Sequence, residues 1–148
     1  MKRAVITLGE PIVISQADPS VKDWGAWQFP SLSLMADGGL HLSYHTHSDS
    51  AAAYGRENPH MVSYDNGVTL LSYGRPGFFL RATIDPAGLE WGERIQILEQ
   101  GHGTCSYSGL VAIDSNSAFV TYSDFAFPNG EGVPVKTILG RHVTIKPE

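Results

Sequence analysis

From Phe29 onward, apolar and polar residues alternate along the chain. Leu32 and Leu34 point one way and Ser31 and Ser33 the other, the period of a half-buried strand. Asp37-Gly38-Gly39 supplies a hairpin turn, and Leu40, Leu42 and Tyr44 continue the alternation in the return strand. Upstream, Ala4–Leu8 and Pro11–Ser15 read as two short strands around Gly9-Glu10, followed by a polar loop over Gln16–Asp23. Downstream, a tight Pro76-Gly77 turn leads into a strand over Phe78–Ile84. A polar turn follows, and a further strand opens at Trp91. Val135–Ile145 can form one or two more, giving about ten or eleven strands and an all-β chain.

The polar turn after Ile84 carries Thr83, Asp85, Gly88 and Trp91. Short polar side chains there can bond neighbouring backbone groups. Gly88 can take positive φ, and Trp91 can fold over the turn as an apolar lid. The pattern resembles the Asp-box of sialidase-type β-propellers (Ser/Thr-x-Asp-x-Gly-x-x-x-Trp), here one residue longer between Asp and Gly. Ser63–Thr69 looks like a second box but lacks the tryptophan, with Leu70 in its place, and is read as the turn of a hairpin.

Internal repetition supports blades. Phe29–Tyr44 lies without gaps on Asn58–Tyr73 after a shift of 29, and on Tyr107–Tyr122 after a shift of 78. Pro30 meets Pro59, Leu32 meets Met61 and Leu110, and Tyr44 meets Tyr73 and Tyr122. The sequence therefore predicts hairpins at 29–44, 58–73 and 107–122 within a single domain over residues 1–148. The second and third copies are 49 residues apart, room for four strands at 59–64, 68–73, 78–84 and 92–98. The first and second are only 29 apart, about one outer hairpin short. The expectation is antiparallel four-stranded propeller-type blades, about two to three per chain. Propellers typically close with about four to eight blades, so self-association into a homo-oligomer is expected, a dimer completing the ring and hiding edge strands.

Composition narrows the partners. The formal net charge is −5 with no basic run, which argues against nucleic acid or an anionic membrane. Cys105 is the only cysteine, so an internal disulfide and a cysteine-based zinc cluster are excluded. No signal peptide or membrane span is read near Lys2-Arg3. The chain is expected to be soluble and, by default, cytoplasmic, with no cofactor.

The resemblance implies a central site built from inner strand ends. Sialidases grip a substrate carboxylate with three arginines and use a Tyr–Glu nucleophile pair with an aspartic acid/base. Guanidinium binds carboxylate bidentately, and a neutral tyrosine is less repelled by the substrate's carboxylate than an acid would be. Arg75, eight residues before Thr83, matches the third arginine. Cys105-Ser106-Tyr107-Ser108 looks like the segment bearing the nucleophile, Tyr107. Trp27-Gln28-Phe29-Pro30 looks like the family's Phe-Arg-Ile-Pro segment, with Gln28 where the arginine would be. Asp124 and Glu57 are the candidate acids. Independently, His45-x-His47-x-Asp49 could share one strand face, as a metal-type cluster or a base. A polar strand end is the plainer reading, and no metal is expected.

Three functions follow as expectations. The first is a carbohydrate-active, sialidase-like glycoside hydrolase or a remnant of one, recognising an acidic sugar or glycan. The second is a non-catalytic glycan-binding or structural propeller module. The third is a polysaccharide lyase using His45 or His47.

Overall fold

The computed structural model describes residues 4–48, 60–63, 71–74, 77–82, 92–99, 103–104, 107–114 and 116–147. These form strands β1 (Ala4–Leu8), β2 (Ile12–Gln16), β3 (Gln28–Leu34), β4 (Leu40–His45), β5 (His60–Ser63) and β6 (Leu71–Gly74). The remainder are β7 (Phe78–Arg81), β8 (Ile95–Leu98), β9 (Ser108–Asp114), β10 (Ser117–Pro128) and β11 (Pro134–Pro147). No helix occurs among the described residues, so none there is long and apolar enough to cross a membrane.

The strands make three antiparallel sheets. The central one runs β1-β11-β10-β9, with β2 also on β11. β1 pairs from Ala4↔Pro147 to Leu8↔Val143, and β2 pairs from Ile12↔Gly140 to Gln16↔Thr137. Between and beyond them, the Gly9 N–H donates to the His142 carbonyl at 2.7 Å and the Ala17 N–H to the Lys136 carbonyl at 2.8 Å. Residues 4–17 thus track β11 as one ribbon. It breaks at Glu10-Pro11, where proline has no N–H to donate. The flanking sheets are β3-β4-β5 and β6-β7-β8.

Alternation decides which sheet covers which face. Ala118, Val120 and Tyr122 of β10, with Leu139, Val143 and Ile145 of β11, share a core with Phe78, Leu80 and Leu98 of the β6–β8 sheet. The intervening Phe119 packs with Val111 and Leu40, and Ile138 packs with Leu42 and Tyr44. The two three-stranded sheets therefore cover opposite faces of the central sheet. Leu40, Leu42 and Tyr44 are buried at alternate positions of β4, as the sequence predicts.

Gly109 permits the closest approach between layers. A Cβ at this position would collide with Leu32 Cβ and stand 2.6 Å from Thr121 Oγ1 and 2.7 Å from Leu32 N. On the opposite face, the Tyr122 ring lies 5.2 Å from that of Phe78. Its hydroxyl accepts a 2.9 Å hydrogen bond from Arg141 Nε. Burial pushes the Tyr122 hydroxyl above its ordinary pKa of 10.0, with Arg141 opposing.

Several sequence expectations change. Hairpins form at β3–β4 and β9–β10; among the described residues of 58–73, β5 pairs with β4 and β6 with β7. An alternating strand can pair with either neighbour. Joining β4 satisfies that strand's second edge, which the repeat pattern could not reveal. Each flanking sheet accordingly has three strands among the described residues, where blades of four were predicted. β8 begins at Ile95 rather than Trp91, and β11 is one strand of 14 residues.

Two predictions follow from this packing. Gly109→Val forces the β3 backbone away from β9 and should cost about 1–3 kcal/mol. A thermal melt should show Tm lowered by several degrees, whereas Gly130→Val, with nothing within 4 Å of the added Cβ, should be nearly neutral. Because the Tyr122 pKa is raised on folding, its contribution is complete below about pH 10 and lost as pH rises through the folded value. Denaturant titrations between about pH 9 and 11 should therefore show a shallower alkaline loss for Tyr122→Phe. That variant should start about 1–2 kcal/mol less stable near neutrality.

Candidate functional site

One end of β3, β4 and β9 carries a group of aromatic rings around Phe29. Its ring centroid is 5.1 Å from Tyr107, 5.3 Å from His45 and 6.2 Å from Trp24, all edge-to-face. Trp24 is 55% exposed and Tyr107 54% exposed, so two of these rings present most of their surface to solvent. Beside them, an open cleft of about 520 Å³ runs between the start of β3 and the start of β9. Phe29, Pro30, Leu32, Tyr107 and Gly109 are among the residues lining it.

The local chain explains how the rings converge. Pro30 cannot donate to a sheet ladder, and proline within a sheet is confined to edges and bulges. The β3–β4 register shifts from Gln28↔His45 to Ser31↔Ser43, so Phe29 and Pro30 both oppose Tyr44. Such a bulge re-aims side chains. Here it is accompanied by left-handed φ values at Trp27 (51°) and Phe29 (54°), each costing roughly 1–2 kcal/mol for a bulky residue. Surrounding contacts hold this backbone in place. Trp27 Nε1 donates to Ser15 Oγ at 2.9 Å, and its ring lies 6.5 Å from Tyr44. Lys136 Nζ donates to the carbonyls of Asp23 and Ala26, fixing the turn that carries Trp24.

Gln28, between the two left-handed residues, is completely buried. Neither Nε2 nor Oε1 has a hydrogen-bond partner among the described residues. Buried polar groups are nearly always satisfied, and leaving one unmet costs about 1–3 kcal/mol. Gln28 is therefore an unusual feature directly adjoining the exposed rings.

The other predicted residues are distributed as follows. Tyr107 sits at the cleft just before β9, whose Ser108 pairs with Tyr122. Its approach is guided by Thr104 Oγ1 donating to the Ser123 carbonyl at 2.7 Å and by the Phe125 N–H donating to the Gly103 carbonyl at 2.8 Å. Asp124 is buried, and its Oδ1 accepts the Ala126 N–H at 2.8 Å within the irregular part of β10. Alternation places it on the Tyr122 face, whereas Tyr107 meets Phe29 of β3 on the other. His45 joins the aromatic group, but β4 ends there, and His47 lies in the following bend. The predicted shared strand face of His45, His47 and Asp49 consequently does not extend past His45. Among the described residues no group of three or more His, Cys, Asp or Glu could hold a metal. Glu57, Arg75, Thr83, Asp85, Gly88, Trp91, Asp49 and Cys105 lie outside the described residues.

Trp24 and Phe29 are site residues that the sequence reading did not assign. The available signal was aromatic density: Trp24, Trp27 and Phe29 fall within six residues between a polar loop and a strand. Chemically, the arrangement offers flat apolar surfaces with polar edges, a phenol and an imidazole at the margin, and a buried neutral amide. Comparison with protein-family models, with curated proteins and with solved structures returned no match.

Proposed function

We propose that this protein is a glycan-binding module of sialidase-like architecture, holding a sugar against the rings of Trp24, Phe29 and Tyr107. The observation that carries the reading is the pair of half-exposed rings, Trp24 and Tyr107, on either side of Phe29 beside an open cleft. A sugar ring has apolar C–H faces and a polar rim. Aromatic side chains complement both, through their faces and through the hydroxyl or N–H at their edges. The net charge of −5 makes a nucleic-acid ligand for the same rings unfavourable.

Binding without catalysis is favoured by Asp124, whose carboxylate accepts the backbone N–H of Ala126. Recognition of an acidic sugar would draw on Arg75, since Gln28 contributes no charge. A second reading, sialidase-like hydrolysis with Tyr107 as nucleophile, is favoured by the exposure of its ring at the cleft. We also propose that chains pair to complete a propeller-type ring. Supporting this, the β1–β2 ribbon is an edge of the central sheet, and Val5, Ile12 and Val13 on it are 39%, 44% and 46% exposed. Exposed apolar edges favour association.

Two experiments test these readings. In glycan titrations followed by calorimetry, Trp24→Ala and Tyr107→Ala should each weaken binding by at least about tenfold, and Tyr107→Phe should largely retain it. Release of phenol from an acidic aryl glycoside that disappears in Tyr107→Phe would instead establish the hydrolase. Light scattering over a range of concentrations should give twice the chain mass of 16.0 kDa, and a persistent monomer would remove the paired ring.

A further inference from the structure

We infer that the cleft selects a neutral sugar bearing an acetamido group, and that the Gln28 amide reads it. This rests on the glycan-binding reading above and adds the ligand class. Gln28 is wholly enclosed, yet both ends of its amide are without a hydrogen-bond partner among the described residues. Methionine or leucine would fill a similar volume without that cost, so packing does not account for glutamine. The flanking left-handed backbone at Trp27 and Phe29 adds strain at the same place. Unfavourable terms concentrated beside a cleft are what a binding position retains when the ligand supplies the missing contacts.

The chemistry of the orphaned group identifies its complement. A primary amide has donors at one end and an acceptor at the other. An acetamido group presents one N–H and one carbonyl, so the two can meet side by side through a pair of hydrogen bonds. A hydroxyl meets fewer of these requirements at once. A carboxylate would satisfy Nε2 but set its own negative oxygen against Oε1, and a neutral side chain supplies no counter-charge for its lost hydration. Phe29 connects the amide to the cleft: its ring lines the opening, and its backbone follows directly from Gln28. With φ at 54°, Phe29 gains conformational energy when it leaves the left-handed region. A sugar held against Phe29 that draws this backbone out of the left-handed region brings the neighbouring Gln28 amide to its acetamido group.

The test titrates the full chain with fully N-acetylated chitotriose, cellotriose and a glucuronate trimer. The wild type should prefer the acetylated trimer to cellotriose by about tenfold, with the glucuronate trimer weakest. Gln28→Met and Gln28→Leu should erase the preference while leaving cellotriose binding intact. Both should also melt at a higher temperature, because the orphaned amide is gone. If both variants keep the preference, or the wild type has none, the inference is overturned and glycan binding stands. If no trimer binds, or if Tyr107→Ala binds all three as well as wild type does, the glycan reading of the cleft fails and the inference with it.

Discussion

Water is excluded from both faces of β10, where seven consecutive residues, Ala118–Asp124, are buried. A strand in that position must satisfy two layers at once. Its even-numbered residues from Ala118 to Tyr122 fill the core against Phe78 and Leu80, and Phe119 fills the core against Leu40 and Val111. At Thr121 bulk gives way to closeness, and Gly109 lets the β3 backbone come down onto the sheet. The flanking sheets have no alternative seat, because each depends on the residues that β10 and β11 turn towards it. Buried polar members such as Tyr122 are accommodated by local partners, Arg141 in that case.

The aromatic site is a by-product of the same seating. Because β3 is held against β9 and β10, its irregular start cannot relax into an ordinary ladder. Pro30 removes a donor, the bulge inserts a residue, and the backbone on either side of Gln28 takes up the resulting misfit. Lys136 of β11 and Ser15 of the neighbouring ribbon then pin the turn and Trp27. The rings gather at a place where regular pairing has been given up, which is common for binding surfaces supported by rigid sheets.

Much of the strand inventory was legible in the sequence, because period-2 alternation and turn residues are local. Leu40-His41-Leu42-Ser43-Tyr44 announces both its conformation and its buried face, and Asp37-Gly38-Gly39 announces the turn, where Gly38 takes a φ of 86°. Partner choice was not legible. β5 resembles the first strand of a hairpin, yet it closes the preceding sheet, since pairing depends on which edge is free in space. The site was partly legible: Gln28, His45 and Tyr107 do come to one strand end. Trp24 and Phe29 were missed because their roles depend on a bulge and a clamping lysine more than a hundred residues away in sequence.

The pairing of Ala4 with Pro147 and of Gln16 with Thr137 ties segments from opposite ends of the sequence into one sheet. The entropy of closing so large a loop is spent before those contacts form, and chains dominated by distant pairings fold slowly. The β9–β10–β11 meander can assemble locally, but its outer edge waits for the β1–β2 ribbon to arrive. Until then β11 presents an open row of backbone donors and acceptors, with Val143 and Ile145 beside it. The interval between meander and ribbon is the stage of folding at which this protein is most exposed to mispairing with another copy of itself.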